Sequence, residues 1–101
     1  MLLLNPVLTV EVGKPGSHMH CGWQALTAQI VQTLCERDTP PTFLLWGGPA
    51  QRFFDSARPP FVAPRVLRTR HPSYDFKREF MANDGGSHFA QTADLIDWWT
   101  L

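Results

Sequence analysis

Short apolar runs along this chain stop abruptly at polar or glycine residues. Leu2-Leu3-Leu4 ends at Asn5, Phe43-Leu44-Leu45-Trp46 ends at Gly47-Gly48, and Val66-Leu67 runs through Arg68-Thr69-Arg70 into His71-Pro72-Ser73. Residues 2 to 4 lack alternation and predict a strand buried on both faces, with Val7-Leu8-Thr9-Val10 extending the apolar character past Pro6. Residues 42 to 46 and 65 to 69 predict two more strands. Trp23, Leu26, Ile30, Val31 and Leu34 recur at helical spacing, which predicts an amphipathic helix over about residues 22 to 36, ended by Asp38-Thr39-Pro40-Pro41. Gly47-Gly48 turns the chain into a brief helix starting at Pro49, where a missing amide costs nothing. Residues 55 to 64 are proline-rich and predict an extended surface segment; residues 70 to 87 read mainly as loop. Phe89, Ala93 and Ile96 share a face near Trp99, so a last helix over about residues 87 to 98 should bury its aromatic side.

Strands separated by helices imply an α/β fold with a parallel sheet and right-handed crossovers. Ligands bind at the outer ends of such strands, so the three stops read as three walls of one pocket. From Glu11 to Cys21 glycine, proline, serine and histidine mark a loop long enough to carry function.

Composition narrows the class. The 101 residues suffice for one domain, and 44% hydrophobic with 18% charged content describes a globular chain rather than a disordered one. The formal net charge of zero gives no overall attraction to nucleic acid, yet Arg65, Arg68, Arg70, Lys77 and Arg78 crowd around His71. Cys21 and Cys35 are too far apart for a Cys-x-x-Cys motif and read as reduced thiols of a cytoplasmic protein. The opening apolar run is too short and lacks the basic flank of a signal peptide, and no segment approaches the roughly 18 apolar residues of a membrane helix. His18-Met19-His20-Cys21 packs soft and imidazole ligands closely, but adjacent ligands alone rarely complete a site, so no metal is expected.

Each motif is weak by itself: a lone histidine near a strand end is more often structural, an asparagine caps turns, and a glycine pair allows a tight bend. Their order and spacing say more. Over essentially the whole chain the sequence resembles the carboxy-terminal half of the uracil-DNA glycosylases of the Ung type. LLLN-x-VLTV matches Leu2 to Val10, Ser-His followed by Gly-Trp matches Ser17, His18, Gly22 and Trp23, and LLWG-x-x-AQ matches Leu44 to Gln51. HPS then matches His71 to Ser73, Gly-x-x-His-Phe matches Gly85 to Phe89, and Ile-Asp-Trp matches Ile96 to Trp98.

The resemblance implies base-excision repair: removal of uracil from single- or double-stranded DNA by hydrolysis of the N-glycosidic bond, with no cofactor. It implies that Asn5 pairs with the uracil edge, which suits an amide offering donor and acceptor together. It implies that His71 donates to the uracil O2 as negative charge develops there. Ser73 and the Gly47-Gly48 turn match elements that grip DNA phosphates. The family usually has Gly-Ser where this chain has Gly47-Gly48. After Ser73 the family continues with proline and a leucine that fills the gap left by the flipped base, whereas this chain has Tyr74, Asp75 and Phe76. Phe76 or Tyr74 is expected to take the wedge role, with Lys77 and Arg78 supplying charge for the DNA backbone.

The family's Gly-Gln-Asp-Pro-Tyr-His block, which supplies the water-orienting aspartate, has no counterpart in these residues. By the resemblance, the strand that carries it lies between the strand ending at Asn5 and the strand ending at Gly47. The expected fold is therefore an incomplete three-layer uracil-DNA glycosylase-like α/β fold, a fragment inactive alone, with direct re-pairing of the two strands, a partner chain or self-association, or a truncated reading of a longer gene as the ways to accommodate the gap. A non-enzymatic uracil- or DNA-binding module is the alternative.

Overall fold

The structure, a computed structural model, describes residues 1–82 and 86–100, apart from the side chain of Tyr74. Two of the three expected strands form. β1 (Phe43–Trp46) and β2 (Val66–Thr69) pair in parallel, with Phe43 opposite Val66 and Trp46 opposite Thr69. The ladder runs one bond past each end: the Phe43 N–H donates to the Arg65 carbonyl at 2.9 Å, and the Gly47 N–H to the Thr69 carbonyl at 2.8 Å.

The first apolar run does not form a strand. Among the described residues the sheet consists of β1 and β2, and Leu2 and Leu3 are 62% and 84% exposed. A strand needs a neighbour for its N–H and C=O groups, and without one an apolar run stays solvated. Direct re-pairing of this run with β1 does not occur either. Leu4 alone reaches the core.

Helix α1 (Trp23–Cys35) spans nearly the expected residues, but its inward face is turned. The buried stripe is Thr27, Val31 and Cys35 at i, i+4 spacing, while Leu26, expected on the sheet side, is half exposed. Thr27 can lie inside because its hydroxyl is hydrogen-bonded. Helix α2 (Gly48–Ala57) forms the crossover between the strands, begins one residue before Pro49, and takes in Asp55–Ala57 from the expected extended segment. Burial of Phe54 and Ala57 explains the extra turn.

Helix α3 (His88–Gln91) is a single turn instead of the expected three. The Ser87 hydroxyl caps it by accepting from the Ala90 N–H, and beyond Gln91 the chain leaves the helix. Trp98 Nε1 donates to Thr92 Oγ1 at 3.0 Å, and the Trp98 ring folds back edge-on to Phe89 with centroids 5.0 Å apart. That contact replaces the straight helical face, leaving Ala93 exposed and Trp99 97% exposed.

The core is Val31, Cys35, Leu45, Phe54 and Ala57, drawn from α1, β1 and α2, with α1 packed on α2 and α2 on β1. Burial pushes the Cys35 thiol pKa up; Cys21 is exposed, and both cysteines are free. A second, aromatic cluster of Trp46, Phe80, Phe89 and Trp98 packs edge to face. No helix among the described residues is long and apolar enough to cross a membrane.

His88, 2% exposed, ties this second cluster to both strands. Its Nδ1 accepts from Trp46 Nε1 at 2.9 Å, and the ring also bonds to the Arg68 backbone. Burial pushes its pKa below the usual histidine value, the bond to Arg68 opposing in part. A depressed folded pKa means that the neutral ring stabilises the fold above the unfolded pKa of about 6.5 and that this stability is lost as the pH falls through the folded value. Urea midpoints should therefore drop on acidification below about pH 6.5, and His88→Gln should flatten that part of the profile. A wild-type midpoint flat from pH 7.5 to 5 would contradict this.

Candidate functional site

The carboxyl ends of the two strands meet at one joint. The Thr69 carbonyl, at the end of β2, accepts from the Gly47 N–H and from Gln51 Nε2 at 3.0 Å, so both of its lone pairs are used by the turn and first helical turn that follow β1. Gly47 has φ 95° and ψ 158°, a region open essentially to glycine alone, and a Cβ there would lie 3.1 Å from His71 Cβ. The glycine thus lets the two strand ends close on each other. At Gly48 the atoms nearest a Cβ would be those of the Arg52 guanidinium, at 2.9 Å, which can swing away.

His71 is exposed and starts a single 3₁₀ turn, Pro72–Tyr74. Its Nδ1 accepts from the Ser73 backbone N–H at 3.1 Å and lies 2.6 Å from Ser73 Oγ. A backbone N–H can only donate, so Nδ1 is an acceptor and the neutral ring carries its proton on Nε2. This corner of the chain therefore presents an imidazole as a donor of fixed tautomer. Ser73 thus supports His71 directly.

Asp75 is turned inward on its own loop. Its carboxylate accepts from the Glu79 N–H at 2.7 Å and the Phe80 N–H at 3.0 Å. Arg70 pairs with Glu79 at 2.8 Å, and Phe80 is buried edge-on to Trp46 with centroids 4.8 Å apart. These anchors hold both ends of the loop and leave Phe76 at its tip, 87% exposed, beside exposed Lys77 and Arg78. Arg78 takes a left-handed φ of 54° there, unusual for a side chain with a Cβ.

The cluster of basic residues noticed in the sequence is partly neutralised. Arg68 forks onto Asp55 at 2.6 and 3.1 Å, which holds that carboxyl below the usual range, and Arg65 donates to the Gln91 carbonyl. Lys77 and Arg78, beside Phe76, make no ion pair among the described residues, and neither does Arg65.

Asn5 lies apart from this joint, in an open groove between the amino-terminal arm and helices α1 and α2. Gln24, Pro49, Arg52 and Phe53 share that groove; His71 does not line it. The structure thus joins Gly47, His71 and Ser73 in one place, while Asn5 lines a groove shared with Pro49 and Arg52 of α2. Gly85 and the Tyr74 side chain lie outside what the structure describes. Among the described residues no group of three or more histidine, cysteine or acidic side chains converges.

Three supporting residues have no role in the sequence reading. Gln51 and His88 stand inside the Ala-Gln and His-Phe blocks, which was a usable signal; Thr27 carries none that a single sequence could show.

No family model matches the chain. Curated relatives do. It is 42% identical over 100 residues to a uracil-DNA glycosylase of Xanthomonas euvesicatoria pv. vesicatoria (strain 85-10), an alignment covering 95% of this chain and 38% of the relative. A uracil-DNA glycosylase of Lachnoclostridium phytofermentans is 38% identical over 109 residues, covering 97% and 45%. One from Varicella-zoster virus (strain Dumas) is 44% identical over 73 residues, covering 72% and 23%. The chain spans less than half the length of each of these relatives.

Proposed function

Because the chain belongs to the uracil-DNA glycosylase family, we propose that it carries the base-reading, leaving-group and DNA-gripping residues of an Ung-type site that hydrolyses the N-glycosidic bond of uracil in DNA for base-excision repair. Its two-stranded parallel sheet is then part of the three-layer fold of that family. The observation that carries the reading is the tautomer of His71, held at a strand end with its proton on Nε2. A neutral donor suits the uracil O2, where negative charge develops as the glycosidic bond breaks, because a preorganised donor stabilises the transition state more than the ground state.

The other roles follow from chemistry. Asn5 pairs with the O4 and N3–H of uracil and mispairs with cytosine. Gly47 and Gly48 let backbone amides approach a phosphate. The Ser73 hydroxyl donates to His71 Nδ1, so gripping a phosphate requires it to turn away, leaving the Ser73 N–H to hold the ring alone. Phe76, exposed at the loop tip, is the wedge that stacks in place of the extruded base, with Lys77 and Arg78 on the flanking phosphates. Asp75 does not oppose this, since its carboxylate is committed to backbone amides.

Phe76→Ala should weaken binding to a uracil-containing single strand about tenfold, as loss of one base stack would. Trp99→Ala, equally exposed but on the carboxy-terminal segment, should not. Fluorescence anisotropy with both variants checks this; equal affinities for Phe76→Ala and wild type would remove Phe76 from the DNA surface.

The 101 residues contain no Asp-Pro pair to orient the attacking water. Assayed by itself, the chain should bind uracil-containing DNA in preference to the cytosine counterpart and release little or no uracil. That same lack supports a second reading, a uracil-binding module or a chain that completes another polypeptide. Strong turnover by the chain alone would overturn the expected inactivity, and equal binding of the uracil and cytosine strands would overturn the proposed function.

A further inference from the structure

Among the described residues the arm that carries Asn5 has no sheet ladder to hold it, yet α1 holds it at two points. The Thr27 hydroxyl, on a residue 0% exposed, lies 2.9 Å from the Pro6 carbonyl, one peptide beyond Asn5. Its alternatives within the helix, the Trp23 and Gln24 carbonyls, are longer at 3.1 and 3.4 Å. Four residues earlier on the helix, Trp23 Nε1 donates to Thr9 Oγ1 at 2.7 Å. Residues four apart share one helix face, so a single face of α1 clasps the arm at Pro6 and at Thr9. On the other side of Asn5, Leu4 packs against the core. Asn5 is thus fixed from both directions at the edge of the groove it lines.

We propose that Thr27 and Trp23 are positioning residues for Asn5: through the Pro6 carbonyl and Thr9 they set where its amide stands when it meets a uracil edge. This rests on the reading of Asn5 given above. A single amide discriminates uracil from cytosine only if it is held in register, because a loose one can rotate its donor and acceptor to suit either base. Here the clasp takes the place of the backbone pairing that an ordered strand would supply.

The test uses the whole 101-residue chain and two readouts. In Thr27→Val, which keeps the packing and removes the hydroxyl, losing one hydrogen bond should favour the detached arm about fivefold and lower the backbone ¹⁵N order parameters of Val7 and Leu8. The preference for a deoxyuridine-containing single strand over its deoxycytidine counterpart should fall by about the same factor, with affinity for the deoxycytidine strand unchanged. Thr27→Ser, which keeps the hydroxyl, should restore both. Unchanged order parameters in Thr27→Val, or a loosened arm with full uracil preference, would overturn the proposal. Should Thr27→Val fail to fold, Trp23→Phe, which removes the N–H to Thr9 and part of the ring while keeping an aromatic there, is judged by the same two readouts. If the unaltered chain shows no uracil preference, the reading of Asn5 fails, and the relaxation data separate that failure from a failure of the clasp.

Discussion

Phe54→Ala is expected to remove about 3 to 5 kcal/mol of stability, the usual cost of emptying a fully buried aromatic position. Phe54 is 1% exposed, the centre of the apolar cluster, and stacks at 4.7 Å on Phe43 of β1. A pair of short parallel strands has little stability of its own, so its persistence depends on the helices packed against it. Against a typical total of roughly 5 to 15 kcal/mol, and with a domain this small near the lower end, the substitution should abolish cooperative unfolding at room temperature. Urea denaturation followed by circular dichroism checks this. Phe54→Leu, which keeps most of the volume, should retain a cooperative transition. A Phe54→Ala loss below about 1 kcal/mol would mean that the core is not organised around this ring.

The second large effect is at Gly47. Gly47→Ala forces a Cβ into a backbone region that side chains scarcely enter and places it 3.1 Å from His71 Cβ, so about 2 to 4 kcal/mol of strain and overpacking is expected. The strain is relieved by parting the strand ends, which disturbs the Gly47 N–H bond to Thr69 and shifts His71. Gly48→Ala is the control, because the atoms nearest its Cβ belong to the mobile end of Arg52, and a helical alanine offsets part of any loss. Thermal unfolding should separate the two variants clearly. Ring ¹⁵N shifts of His71 should move in Gly47→Ala and stay in Gly48→Ala. Similar behaviour of the two variants would show that the joint does not depend on the Gly47 backbone.

How much of this was legible beforehand varies by element. The period of α1, the apolar runs of β1 and β2, the glycine turn and the order of the blocks could all be read locally, because each depends on residues close together in the chain. The length of α3 could not. Its helical pattern continues through Ala93 and Ile96, but Trp98 is drawn back by Phe89 and Thr92, contacts no periodicity encodes. The same holds for the inward face of α1, where a threonine displaces Leu26 because a distant carbonyl satisfies its hydroxyl.

At the candidate site, sequence alone supplied residue types and order: an amide after an apolar run, glycines after a second, a histidine after a third. Chemistry follows from type, so the choice of Asn5, Gly47, His71 and Ser73 needed no coordinates. What they do to one another did. The register of β1 on β2 brings Gly47 against His71, the 3₁₀ turn fixes the imidazole tautomer, and the inward turn of Asp75 leaves Phe76 at the tip. The first apolar run marks the boundary between the two kinds of knowledge. Its hydrophobicity is intrinsic to Leu2, Leu3 and Leu4, but a strand exists only where another strand pairs its backbone, and in this structure the arm is held by α1 side chains instead.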